Sequence, residues 1–229
     1  MQETSLQLQQ VLCRIAQACD QVGRKHDEVQ LLAVSKRQNI AAIIAAYDAG
    51  QHDFGENYVQ EALEKIQKLV HLPLTWHLIG ALQSNKTAEV AQHFTWVHSV
   101  DRFKIAQRLS QQRPAHLPPL QICLQVNIDE QASKSGCHVN ELSALVKAIL
   151  PLPNVVLRGL MIIPQAQNYQ AFTQLTHIRQ QLLATIPALN AQVFDTLSMG
   201  MSDDLEQAIA AGSTMVRVGT AIFGLRTSY

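Results

Sequence analysis

Lys36 follows Val29-Gln30-Leu31-Leu32-Ala33-Val34-Ser35, an apolar run of strand length. Side chains alternate along a strand, so Leu32, Val34 and Lys36 share one face. If Leu32 and Val34 fill an interior, Lys36 points into the space above them. An amine there is poorly solvated and gives up its proton more readily. That is the state that attacks an aldehyde to form a Schiff base. The alternative is a solvated lysine at a strand end.

Two further segments carry chemistry. Leu197-Ser198-Met199-Gly200-Met201-Ser202-Asp203-Asp204-Leu205 is a glycine loop running into a helix start. Ser202 is the expected N-cap, and the helix start is a natural anion site. Asp203 and Asp204 oppose this unless their side chains turn to solvent. Arg217-Val218-Gly219-Thr220 ends an apolar strand. There Gly219 allows close backbone approach and Thr220 supplies a hydroxyl. Arg217 is placed to share an inner face with Met215 and Gly219. The bland alternatives are an ordinary turn and a surface arginine. Together, a lysine, a phosphate cradle and an arginine point to a phosphorylated aldehyde. Pyridoxal 5'-phosphate (PLP) is the common cofactor of that description.

These residues need a scaffold. Leu8, Val11, Leu12, Ile15, Cys19 and Val22 mark a first helix ended by Gly23. After it, strands are expected at 29–35, 53–55, 74–79, 95–100, 120–128, 155–163, 192–197 and 214–218. Helices are expected at 39–50, 57–69, 85–92, 101–112, 139–150, 169–183 and 203–210. The tail after Gly224 completes or truncates an eighth unit. Alternating βα units imply a parallel sheet with right-handed crossovers. Eight of them favour one closed (β/α)8 TIM barrel with an extra N-terminal helix. A doubly wound open sheet is the second choice. Such barrels take about 250 residues, with about 200 as a floor. The 229 residues are therefore read as a single domain, 1–229. In a barrel the active site lies at the C-terminal ends of the strands, with phosphate held after strands seven and eight. Lys36 and both loops fall at those places.

Composition excludes other classes. Hydrophobic residues make up 47% and charged residues 16%, which is not a disordered chain. Lys plus Arg equals Asp plus Glu at 18 each, with no basic stripe for nucleic acid. No apolar run approaches the 18 or so residues of a membrane span. The start lacks a secretory signal, so a cytoplasmic location is expected. Cys13, Cys19, Cys123 and Cys137 form no CxxC pair and read as reduced, mostly buried thiols. No HExxH, P-loop or dinucleotide fingerprint occurs, and no metal is expected. His93 and His98 read as structural or exposed, and Trp76 and Trp96 as packing residues.

The motifs Ala33-Val34-Ser35-Lys36, Phe54-Gly55-Glu56-Asn57-Tyr58-Val59-Gln60-Glu61 and Trp76 to Lys86 resemble one family, as do the two loops. It is the pyridoxal phosphate homeostasis protein family, also called the YggS/PROSC or PLP-binding protein family. The resemblance runs from the first helix to about Gly224. Leu78 departs from it, where phenylalanine or methionine is more usual. The resemblance implies a barrel like the alanine racemase N-terminal domain, with PLP on Lys36. It places Ser202, Gly219 and Thr220 at phosphate-loop positions, with Ser198, Met199 and Gly200 nearby. It places Arg217 opposite the pyridine nitrogen, and Asn57 and His77 in the cofactor pocket. Lys134 also matches a family position, without an evident role.

An arginine keeps the facing ring nitrogen unprotonated, so carbanions gain less stabilisation. Racemisation also needs an acid–base group on each face of the α-carbon. Lys36 supplies one. Among nearby motif residues, His77 and Tyr58 are the candidates for the other. The expectation is a monomeric PLP carrier acting in vitamin B6 and amino-acid balance, with PLP-dependent apo-enzymes as partners and no catalytic residues. The alternatives are a PLP-dependent racemase or lyase, and a PLP-free barrel enzyme for sugar phosphates.

Overall fold

A computed structural model describes residues 2–131 and 135–224. Lys134 lies outside them. Helix α1 (Gln2–Gln21) precedes eight βα units. Their strands are β1 (Gln30–Val34), β2 (Asp53–Glu56), β3 (Thr75–Leu78), β4 (Trp96–Val100), β5 (Leu120–Gln125), β6 (Val155–Met161), β7 (Thr196–Ser198) and β8 (Met215–Val218). All pair in parallel in chain order, and β8 returns to β1 with Leu32 opposite Arg217. The barrel is closed, and the open sheet is excluded.

The helices are α2 (Ile40–Asp48), α3 (Val59–Lys68), α4 (Thr87–His93), α5 (Phe103–Gln112), α6 (Leu142–Ile149), α7 (Gln170–Thr185), α8 (Leu205–Ala210) and α9 (Thr220–Phe223). Asn39 caps α2 by accepting from the Ala42 N–H at 2.8 Å. The short α9 completes the eighth unit before Gly224. It packs with α8 and α2 around α1, which fills the gap a longer eighth helix would occupy.

Alternation along the strands separates two interiors. Leu31 and Ala33 join the large core between sheet and helices. Leu32 and Val34 join Ile79 and Met215 in a separate cluster inside the barrel. Trp96, Cys123 and Met161 form another such cluster. This is the face assignment that puts Lys36 above Leu32 and Val34.

β5 and β6 end earlier than expected, at Gln125 and Met161, and β7 departs furthest from its expected bounds. Residues 192–195 form a turn closed by Val193 and Phe194 N–H groups on the Asn190 carbonyl. The Val193 and Phe194 carbonyls accept from the Arg158 and Arg179 side chains instead of a neighbouring strand. Pairing therefore starts only at Thr196. Three of the four free cysteines are buried, whereas Cys13 is exposed. Burial pushes the Cys137 thiol up to about 12, so it stays protonated.

Candidate functional site

At the C-terminal mouth of the barrel lies a cleft partly open to solvent. Lys36, Asn57, Ser202, Arg217, Gly219 and Thr220 line it, as the sequence led us to expect. Gln38, Asp203 and the apolar Ile79, Ile163 and Met201 complete much of its wall. Those apolar residues carried no signal in sequence, because isolated apolar side chains at loop starts are common.

The chain on both sides of Lys36 is pinned. The Ser35 hydroxyl donates to Glu56 Oε1 at 2.6 Å, and the Lys65 ammonium donates to the Ser35 carbonyl at 2.7 Å. On the other side the Arg37 N–H donates to Glu61 Oε1 at 2.5 Å. Arg37 has a φ of 60°, a left-handed conformation that costs a non-glycine residue energy. Lys65 joins the two anchors, reaching Glu56 and Glu61 at 2.7 Å each. Strand β1 thus ends abruptly, with Lys36 held at the mouth.

Arg217 is almost fully buried, yet it faces the cleft. Its Nη1 donates to the Ser198 hydroxyl at 2.9 Å and its Nη2 to the Ile162 carbonyl at 2.8 Å. Burial lowers its pKa to about 10, with the Asp204 charge opposing. It remains a cation at neutral pH.

The loop after β7 differs in detail from expectation. Ser202 is not the N-cap. Asp204 holds that place, and its carboxylate accepts from the Met201 N–H at 2.6 Å. The Asp204 charge is used within the turn, while Asp203 stays exposed at the rim. The Ser202 carbonyl accepts from Arg14 on α1 at 3.0 Å, and Arg14 also grips Glu206 at 2.8 Å. Nothing in the sequence pointed to Arg14. The glycines serve packing more than ligand approach. A Cβ on Gly200, at φ +94°, would lie 2.5 Å from the Ala208 Cβ. A Cβ on Gly219 would lie 3.0 Å from the Val34 carbonyl oxygen.

Four expected site residues lie outside the cleft wall. Met199 and Gly200 support the loop from beneath; the Met199 N–H donates to the Met215 carbonyl and the Gly200 carbonyl accepts from the Arg217 N–H. Ser198 is buried behind Arg217. His77 is fully buried inside the barrel, stacked on Trp96 at 5.4 Å between centroids. It lies level with Gly55, below the mouth, and does not line the cleft. Tyr58 is half exposed and does not line the cleft either.

A lysine, a buried guanidinium, two hydroxyls and an amide converge on one cleft. This donor set suits a phosphorylated aldehyde. One atom tests the fit directly. The Asn57 Oδ1 is buried and has no hydrogen-bond partner among the described residues. Such an acceptor costs free energy until a donor arrives. Among the described residues, no group of three or more His, Cys, Asp and Glu is placed to hold a metal. No described helix is long and apolar enough to cross a membrane.

Residues 11–227 match the family model described as alanine racemase, N-terminal domain. The pyridoxal phosphate homeostasis protein of Pseudomonas aeruginosa is 57% identical over 221 residues, covering 94% of this chain and 93% of that protein. The protein of the same name from Escherichia coli (strain K12) is 48% identical over 231 residues, covering 99% and 98%. The structure of PipY from Synechococcus elongatus, solved with PLP bound, superposes with a TM-score of 0.80 at 40% identity. That match covers 92% of this chain and all of PipY. Alanine racemase from Corynebacterium glutamicum shares the fold, with a TM-score of 0.66 at 13% identity; the match covers 95% of this chain and 61% of that one.

Proposed function

The chain belongs to the pyridoxal phosphate homeostasis protein family, within the alanine racemase N-terminal domain fold, and from that premise we propose that it binds PLP at the barrel mouth and acts as an intracellular PLP carrier. The observation that carries the reading is Lys36 in one cleft with Arg217 and the two loops. The bound cofactor supplies an aldehyde that condenses with an amine. In this reading Lys36 Nζ provides that amine, held in place by the anchors on Ser35 and Arg37. Ser202 and Thr220 offer hydroxyls to the phosphate, with Gly219 between the loop and β1. Asn57 Oδ1 accepts a hydrogen bond that it otherwise lacks. Arg217 only donates, so it holds a facing ring nitrogen unprotonated.

The same geometry favours a carrier over a racemase. Proton transfer needs a group on each side of the reacting carbon. His77 is sealed inside the barrel and Tyr58 does not line the cleft, which removes both candidates for the second base. Asp203 is the other carboxylate or base among the described lining residues, and it is exposed at the rim. We further take the protein to act as a cytoplasmic monomer in one domain, 1–229, exchanging PLP with PLP-dependent apo-enzymes.

The test is visible absorbance and intact mass after borohydride reduction. A PLP adduct is expected, and Lys36→Ala abolishes it. A colourless protein, or an adduct indifferent to Lys36→Ala, overturns the reading. Robust turnover of L- or D-amino acids that depends on Lys36 overturns the carrier assignment. Faster delivery of PLP to an apo-enzyme than from the free pool supports it. Asn57→Ala separates binding from stability. It is expected to weaken PLP binding about tenfold, while the apo-protein becomes about 1 kcal/mol more stable through loss of an unsatisfied acceptor. Absorbance titration and urea denaturation read the two effects.

A further inference from the structure

A line of side-chain hydrogen bonds crosses the barrel interior and ends on Arg217. Asp53 Oδ1, at the start of β2, meets His77 Nε2 at 3.1 Å. His77 Nδ1 meets His98 Nε2 at 3.0 Å, and His98 Nδ1 meets the Ser198 hydroxyl at 2.8 Å. The Ser198 oxygen takes Arg217 Nη1 at 2.9 Å. His77, His98 and Ser198 are fully buried. The function proposed above uses none of these three.

The two ends dictate where every proton lies. A carboxylate only accepts and a guanidinium only donates. Facing Asp53, His77 must carry its proton on Nε2. Its Nδ1 then accepts, so His98 donates from Nε2. His98 Nδ1 in turn accepts, so Ser198 donates its hydroxyl proton there. The Ser198 oxygen is left to accept from Arg217. Each group is used once, without conflict. The opposite tautomers would set the bare Nε2 of His77 against the Asp53 carboxylate. Burial lowers both histidine pKa values, against the opposing Asp53 hydrogen bond and charge at His77 and with the Arg217 charge adding to it at His98. Both rings therefore stay neutral, as this arrangement requires.

We infer that Asp53 is a positioning residue for Arg217: its carboxylate fixes one tautomer of His77 and His98, and through them turns the Ser198 hydroxyl so that its oxygen anchors the guanidinium. The Ile162 carbonyl supplies the second anchor at 2.8 Å. The relay gives the arginine a fixed orientation from the far end of the barrel. Hydrogen bonds aligned in one direction reinforce one another. The consequence for PLP rests on Arg217 being a cofactor contact. The relay itself does not.

The experiment begins with apo-protein labelled with 15N-histidine. Both buried rings are expected to show a single tautomer, protonated at Nε2, at neutral pH. Asp53→Asn is nearly isosteric, but its amide donates as well as accepts. It is expected to add the Nδ1-protonated tautomer at both rings. Ser198→Ala cuts the relay next to Arg217 and leaves both tautomers as they were. It is expected to weaken PLP affinity about tenfold. Asp53→Asn weakens affinity by a smaller factor, and the double variant by no more than Ser198→Ala alone. A buried ring protonated at Nδ1 in the wild type overturns the inference. So do tautomers unchanged by Asp53→Asn, or additive losses in the double variant. If the protein binds no PLP, the proposed function fails, and the tautomer spectra still decide the relay.

Discussion

Lys65→Met destabilises the protein by about 3–5 kcal/mol at neutral pH, because it strands a buried carboxylate. Glu56 is fully buried and Lys65 is 7% exposed in its side chain, so their contact is barely screened. The ammonium also satisfies Glu61 and the Ser35 carbonyl. Methionine fills the space but returns none of these bonds. A deficit of that size lowers Tm by roughly 10 °C in a chain of this length. Urea denaturation measures it directly.

The deficit depends on pH. Burial raises the Glu56 carboxyl above its ordinary value of 4.5, opposed by the Lys65 charge and by hydrogen bonds from Lys65 and Ser35. A carboxyl raised on folding binds its proton more tightly in the native state. Stability is then highest below the ordinary value and falls as pH rises through the raised one. Without Lys65 the carboxyl rises further, so the loss is greatest at neutral pH and shrinks toward about pH 5. Adding Glu56→Gln removes the stranded charge and recovers most of the stability. A deficit that persists undiminished at low pH, or without Glu56, contradicts the charge mechanism. Because the cluster clamps Ser35 and Arg37, Lys65→Met also slows formation of the borohydride-reducible adduct at Lys36.

Gly80→Ala costs about 3 kcal/mol, the overpacking range of a rigid core. A Cβ at Gly80 would overlap the Asn57 carbonyl oxygen and come within 2.7 Å of the Asn57 C and Cα atoms. Those are backbone atoms, which no rotamer change removes. Gly80 is itself held, since its carbonyl accepts from the Ser99 hydroxyl at 2.6 Å. The strain therefore moves the corner after β2 and pulls Asn57 from the cleft wall. Stability and PLP affinity fall together, unlike Asn57→Ala, where they part. Gly23→Ala is the control. A Cβ there meets nothing within 4 Å, and only its φ of +68° opposes the change. It costs about 1 kcal/mol and leaves PLP affinity intact. Equal losses at both glycines would rule out the steric account.

The barrel was legible because its strands are buried on both faces and recur between amphipathic helices. Period-two alternation carried further, placing Lys36 above Leu32 and Val34 and Arg217 on the same interior. Ser202 was misread as a cap because two acidic residues follow it, and Asp204 reaches back to the turn. His77 was misplaced because a histidine near the end of a strand looks the same in sequence whether it stops at the mouth or below it. The relay was illegible for a different reason. His77 lies 24 residues from Asp53, and Ser198 lies 100 residues from His98. Only barrel closure brings such positions together. His98, read as a bland strand histidine, is the middle of that line. The Lys65 cluster hid likewise, since a lysine in an amphipathic helix reads as solvated.

Arg14 bonds to Ser202 across 188 residues of chain and to Glu206 across 192. A ribosome delivers these partners at opposite ends of synthesis. Until β8 emerges, β1 has a bare hydrogen-bonding edge, Lys36 lacks Arg217, Gly219 and Thr220 across the cleft, and α1 packs on α2 without α9. Contacts this remote close slowly, and an open edge meanwhile invites wrong pairing. On the proposed function, the nascent chain carries Lys36 from the first strand onward, while Arg217, Gly219 and Thr220 join it only when the last strand docks. In that reading PLP binds only a closed barrel, and by mass action it would favour the closed ring over every partly assembled form.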